Sequence, residues 1–310
     1  MNAMVIKRRR EMKKALGAAC LVAGTAIGAG MIALPMILAK LGLVTSVFLM
    51  VGIWGVMYFT SLVSLELNLQ AGKGQALGAL AQKYGGKFSQ ALGTVCFLVL
   101  CYALLSAYLY GGGSTIVSLL PTLGDIVLSH GQAIVLFAGG LFTVLLFSLT
   151  WVDYINRILF LKLLGILLLL CIALMSRLSP WDQPLVEFHD FSAWQIAVPV
   201  AFTSFGFQVI FHTLTDYCNR DKVVLRKAFF WGSLIPTIVY LVWTTCVLSV
   251  LYAHNPSFYA KVVHGGVDVG ELTAALSQVA GARVIQVMVW CLSLLAILTS
   301  AIGVCLGLID

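Results

Sequence analysis

The sequence predicts an all-α polytopic membrane protein, on three observations. Hydrophobic residues make up 61% of the 310 positions and charged residues 10%, whereas an ordinary soluble domain is about 25% charged. Apolar runs near the ~20 residues that a membrane-crossing helix needs recur along the whole chain. Lys and Arg gather on alternate connections between those runs, as cytoplasmic loops require. The net charge of +7 is accounted for by that bias, so no nucleic-acid partner is expected. The partner that composition demands is a lipid bilayer.

Eight candidate spans follow in order: 15–39, 43–67, 91–110, 133–149, 158–174, 196–211, 228–251 and 284–308. Of the 19 basic residues, fifteen fall on one side: Lys7, Arg8, Arg9, Arg10, Lys13, Lys14, Lys73, Lys83, Lys87, Arg157, Lys162, Arg220, Lys222, Arg226 and Lys227. Lys40, Arg177, Lys261 and Arg283 fall on the other. The N-terminus is therefore expected in the cytoplasm, and with eight spans Asp310 as well. Residues 1–14 form a basic cytoplasmic segment, and 15–310 a single transmembrane domain. The first apolar run is too long for a signal peptide and more spans follow, so it reads as an uncleaved helix.

The first span carries Gly24-Thr-Ala-Ile-Gly28-Ala-Gly30 and then Pro35. Each glycine costs a helix about 1 kcal/mol relative to alanine. Three in seven positions predict a break, or else a close approach of two helices. Glu66, at the end of the second span, reads as a solvated carboxylate or as the partner of a buried cation. An Ala-rich segment, 76–84, suggests a short helix at the cytoplasmic interface. In the third span Tyr102 and Ser106 share a face, Tyr108 and Tyr110 suit the outer aromatic belt, and Gly111-Gly-Gly113 is expected to end the helix.

Lys162 lies inside the fifth span, about 7–8 Å beyond Arg157 at 1.5 Å per residue. It either snorkels back to the surface or points inward. In the outside loop that follows, Asp182, Glu187, His189 and Asp190 read as solvated. The sixth span is weakened by Pro199 and Gly206 and holds Thr203, Ser204, Gln208 and His212 at membrane depth, where polar groups tend to face the bundle interior. The alternative is that its hydroxyls bond back to their own helix. Pro236 marks the seventh span, a short outer helix is expected over 268–279, and Thr299-Ser300 sits within the eighth.

Two interrupted helices five spans apart cross in opposite directions, the arrangement of a transporter built from inverted repeats with its site at the midplane. A half-helix N-terminus carries roughly +0.5 charge and unpaired N–H groups, which suit a carboxylate. A half-helix C-terminus offers carbonyls, which suit an ammonium. The N–H groups of Ala29 and Gly30 are thus candidates for a carboxylate. Carbonyls near Ala23–Thr25 and around Thr203 are candidates for an amine, and Ala26 is a further candidate of the same site. Gly28 allows the close approach, Ser204 and Gly206 frame the second break, and Tyr102, Phe205, Phe207 and Gln208 are candidates for a side-chain pocket. An intramembrane enzyme needs paired catalytic groups at depth. Of His130, His189, His212, His254 and His264, only His212 approaches a span, so no enzyme, metal site or cofactor is expected.

Residues 24–35 (Gly-Thr-Ala-Ile-Gly-Ala-Gly-Met-Ile-Ala-Leu-Pro) resemble the first-helix motif of the hydroxy and aromatic amino acid permease family. Residues 203–207 (Thr-Ser-Phe-Gly-Phe) resemble its sixth-helix motif, and 298–308 (Leu-Thr-Ser-Ala-Ile-Gly-Val-Cys-Leu-Gly-Leu) its eighth. Tyrosine- and tryptophan-specific bacterial permeases look most similar. Two positions depart from their pattern: Gln208 replaces a usual His, and His212 a frequent Pro.

The resemblance implies a LeuT-type inverted repeat of the amino acid–polyamine–organocation superfamily, with a first repeat over about 15–176 and a second over about 195–310. It implies uptake of aromatic amino acids with protons across the bacterial inner membrane. It also implies a coupling site in which Lys162 lies beside the carbonyls of Gly24 and Ile27 and the hydroxyls of Thr299 and Ser300. The second repeat holds three of five helices here. Two readings stand open, an aromatic amino acid symporter or a truncated, non-transporting remnant of one.

Overall fold

A computed structural model describes residues 2–71, 77–124, 127–147, 149–174, 191–280 and 283–309. The solvated reading of Asp182, Glu187, His189 and Asp190 lies outside them. The first span is two helices, α1 (Asn2–Ala26) and α2 (Ala29–Leu38), bent by 53°. α2 runs into a 3₁₀ turn at Ala39–Leu41, and α3 (Leu43–Ala71) follows. α4 (Leu77–Leu123) turns at Gly86, whose φ of 76° suits glycine. Its first segment covers the helix expected over 76–84 from Leu77 onward, Ala76 lying outside the described residues. α5 (His130–Leu145) starts on a capping box of Ser129 and Gln132, and α6 (Leu149–Leu174) follows.

The sixth span is broken as well. α7 (Phe191–Ser204) stops, a 3₁₀ turn covers Phe207–Ile210, and α8 (Phe211–Tyr217) resumes. α9 (Lys222–His254) is capped by the Asp221 carboxylate, which accepts from the N–H groups of Val223 and Val224. α10 (Pro256–His264), α11 (Val269–Ala280) and α12 (Arg283–Ile309) complete the order. α11 covers the helix expected over 268–279. α10 went unforeseen, although Asn255 as cap and Pro256 in the first turn are its signature.

Among the described residues five helices are long and apolar enough to cross a membrane, or six with the bent pair taken as one span. Eight were expected. Apolar helix lies at each of the eight places, but α5 has 16 residues and the sixth is divided into pieces of 14 and 7 around its turn. A second correction concerns Gly111-Gly-Gly113, where α4 continues without ending. A Cβ on Gly112 would meet the Phe137 ring at 2.7 Å, and one on Gly113 the Ile134 side chain at 2.5 Å. These glycines let α4 and α5 approach.

α9 is the spine of the bundle, with α1 and α3 along it, while α12 packs between α4 and α6. The core is apolar, from Val22, Ile27 and Met31 through Phe205 and Phe229 to Ile302, all at most 1% exposed. α11 is pinned over the bundle by Gly270 N–H donating to Ser114 Oγ at 3.1 Å and by the Thr273–Ser293 hydroxyl pair at 3.2 Å. At the end nearer the N-terminus, Lys222 pairs with Glu66 at 2.6 Å. Both are nearly half exposed, so Glu66 is the solvated carboxylate of the expectation, and the pair adds ~1 kcal/mol or less.

Candidate binding site at the two helix breaks

The first break is local in origin. Ile27 N–H reaches back to Ala23 O at 2.7 Å, and the helix restarts with Met31 N–H on Gly28 O at 2.9 Å. The N–H groups of Ala29 and Gly30 therefore open α2, where the first turn of a helix has no partners of its own. Gly28 is required by its neighbour, because a Cβ there would overlap the Ser300 hydroxyl and come within 3.0 Å of Ala296 O. Gly30 lets α2 lie on α7, since a Cβ would stand 2.5 Å from Ser204 Oγ and 3.0 Å from Ser204 Cα. The tight packing and the broken helix, set as alternatives from sequence, are both present.

The second break meets the first. Thr203 and Ser204 both donate to Val200 O, at 3.0 and 2.7 Å. Their protons are thus held by their own helix, and their lone pairs remain available to accept from a ligand. A cavity of about 220 Å³ lies between the breaks, lined by Gly30, Ile32, Ala33, Thr203, Ser204 and Tyr108 together with Leu104, Ile297 and Val269. It combines N–H donors at the start of α2, hydroxyl acceptors on α7 and an apolar wall from α4 and α12. Those are the parts needed for a carboxylate, an ammonium and an uncharged side chain. Ligand pockets usually span roughly 300–1,000 Å³, so this cavity is smaller than the usual range.

The remaining expected residues divide. Thr25 bonds back to Leu21 O at 2.8 Å. The carbonyl that α1 presents at its end is that of Ala26, which accepts from the Tyr240 hydroxyl at 2.5 Å. The same hydroxyl lies 2.7 Å from Ser204 O, so one side chain of α9 spans both breaks. Sequence reasoning missed Tyr240 because it lies inside a long apolar span without a glycine signal. Gly206 stays in the turn after α7. Phe205 and Phe207 are fully buried and pack on Tyr240 and Phe211 rather than lining the cavity. Gln208 is exposed, donates to Met57 Sδ at 3.3 Å, and lines a different cavity of about 580 Å³ with Thr60, Ser64, Asn68 and Thr94.

Two further expectations need correction. Tyr102 is 61% exposed, whereas Tyr108, assigned to the outer belt, is 8% exposed and lines the cavity. Six residues turn a helix through about 600°, or 240° net, so the two tyrosines cannot share a face. Lys162 is exposed, and the α6 side chain against Gly24 is Phe160, whose ring a Cβ on Gly24 would meet at 3.3 Å. Ile27, Gly28, Thr299 and Ser300 do lie in the core, and Thr299 spends its proton on Leu295 O and Ala296 O.

This placement makes a direct comparison. Tyr108→Ala is expected to weaken ligand binding by about 30-fold or more, the effect of truncating a buried aromatic anchor worth ~2 kcal/mol. Tyr102→Ala is expected to stay within about twofold. Equilibrium binding of tyrosine and tryptophan to the purified variants measures both, and equal losses would remove Tyr108 from the site.

Known proteins were compared with the chain. Residues 11–310 match the tryptophan/tyrosine permease family model. "Tyrosine-specific transport system 1" of Haemophilus influenzae is 32% identical over 96% of this chain and 73% of its own length. "Tyrosine-specific transport system 2" of the same organism is 30% identical over 96% and 72%. "Glutamine transporter 2" of Aliivibrio fischeri is 29% identical over 95% and 74%. The three motifs quoted above lie within the matched residues. With its paired helix breaks and recurrent apolar helices, this chain belongs to the tryptophan/tyrosine permease family.

Proposed function

We propose that this chain binds and imports an aromatic amino acid, tyrosine or tryptophan, by proton symport. In this reading it spans the bacterial inner membrane with its N-terminus in the cytoplasm. The observation that carries the proposal is the cavity at the two breaks. It is lined by Gly30 in the first turn of α2 on one side and by Thr203 and Ser204 on the other, beside Tyr108. The substrate's carboxylate meets the start of α2, where the helix dipole favours a negative charge. Its ammonium meets the α7 hydroxyls and the carbonyl ends. Its ring extends along Tyr108, Leu104 and Ile297, which must part to admit it.

A LeuT-type inverted repeat is the architecture that this reading uses. Its support is that three elements of the first half pack on their counterparts in the second: α2 on α7, α3 on α9, and α4 on α12. Inverted repeats place such pairs about a shared axis, with the broken helices at the centre. Aromatic substrates are favoured by the tyrosine-specific relatives, and glutamine is the competing substrate that one relative's name brings in.

The test is binding and uptake in proteoliposomes, with labelled tyrosine, tryptophan and glutamine, each with and without an acidic outside. Saturable binding of tyrosine or tryptophan, with accumulation driven by the gradient, is the expected result. Binding of glutamine alone would overturn the aromatic assignment. Accumulation indifferent to pH would overturn the symport. Lys162→Gln belongs in the same assay. Because Lys162 is exposed and Phe160 holds the place beside Gly24, this variant is expected to concentrate substrate within about twofold of the parent, as surface substitutions usually do. Loss of gradient-driven accumulation with exchange retained would restore Lys162 as the coupling residue.

A further inference from the structure

The last carbonyls of α1 and α7 converge on a single group. Ala26 O and Ser204 O lie 2.5 and 2.7 Å from the Tyr240 hydroxyl oxygen. A phenol has one proton. At any moment it satisfies one of these carbonyls fully and leaves the other facing an oxygen. The ring is held in place, being 1% exposed and edge-on to Phe205 at 5.7 Å and 85°. Two helix C-termini, each with partial negative charge, thus share one donor.

We propose that Tyr240 is a specificity-determining residue that makes the site selective for a primary ammonium. The inference rests on the reading of the cavity as an amino acid site. In the described state the hydroxyl proton stands in for the ligand's ammonium. When the ammonium enters past Ser204, two of its N–H groups take over the Ala26 and Ser204 carbonyls. The Tyr240 proton turns away, and the phenol oxygen accepts the third N–H. Three acceptors on three separate elements, α1, α7 and α9, match the three donors of a primary ammonium. A secondary amine leaves one of them unpaired, at the cost of a buried acceptor without a partner.

The alternative is that Tyr240 only caps two carbonyls. Both roles predict some loss of stability in Tyr240→Phe, but only the ligand-contacting role alters discrimination between amines. The experiment is competition against labelled tryptophan with Nα-methyltryptophan and Nα,Nα-dimethyltryptophan, in the parent and in Tyr240→Phe. In the parent, the first methyl is expected to cost about tenfold and the second about tenfold more, as hydrogen bonds to a charged group are lost. In Tyr240→Phe two acceptors remain for two N–H groups, so the first methyl is expected to cost less than about twofold and the second still about tenfold. An equal first-methyl penalty in both proteins overturns the proposal. If Tyr240→Phe is not recovered folded, the parent decides: indifference to the first methyl overturns the proposal, and a stepwise loss supports it. Failure of the parent to bind tryptophan or any other aromatic amino acid would instead overturn the amino acid site, and this inference with it.

Discussion

Gly28→Val is expected to abolish tyrosine and tryptophan binding while leaving the protein inserted and folded. Its Cβ would coincide with the Ser300 hydroxyl and lie 2.5 Å from Ser300 Cβ and 3.0 Å from Ala296 O. Rotating Ser300 removes the first overlap. The other two involve the body of α12 and persist. The restart of α2 must then move away from α12, carrying the N–H groups of Ala29 and Gly30 with it. A displacement of about 1 Å in a positioned site costs on the order of 100-fold. The rest of α1 and α2 keeps its packing on α9 and α7, so insertion is expected to survive. Ligand binding to purified protein that elutes as a single species is the measurement. An affinity within about threefold of the parent would mean that the break does not hold the ligand.

Gly232→Val is expected to act on stability instead. Gly232 lies on α9 where α1 crosses it, and a Cβ there would be 2.5 Å from Val22 Cβ and 3.0 Å from Ala19 O. Both helices are fully packed at this level, with Ala18, Val22, Ala228 and Ser233 all at 0% exposure. Overpacking of a close-packed core costs typically 1–3 kcal/mol, and because one of the clashing atoms is backbone, the upper end is expected. The midpoint of thermal unfolding in detergent should fall by roughly 5 °C or more. Adding Val22→Ala to Gly232→Val should recover part of that loss, since contacting residues couple by about 0.5–3 kcal/mol. Full additivity of the two changes would mean that the seam does not pass through this pair.

The sequence by itself determined where the chain is helical and apolar, which two helices are interrupted, and where the short helix α11 lies. These are local properties. A run of apolar residues sets a helix, three glycines between Gly24 and Gly30 set a break, and Pro199 with Gly206 set another. Each acts through its own backbone or its nearest neighbours in sequence. The three motifs, read together, also placed the chain in its family.

Only the tertiary structure decided which faces look inward. A membrane helix is apolar all round, so the periodic contrast that marks the buried face of a soluble helix is missing. Tyr102 and Tyr108 are both plausible on sequence, and only the packing of α4 on α12 puts Tyr108 in the cavity and Tyr102 outside. Lys162 and Phe160 are two residues, about 200°, apart on one helix, and the contact with Gly24 selects Phe160. Gln208 lies only four residues past Ser204, yet its place in the 3₁₀ turn at the second break sets it in the other cavity. Tyr240 had no local signal at all. Its role exists because α9 crosses both breaks at the level where their carbonyls converge, a coincidence of three elements that sequence neighbours cannot encode.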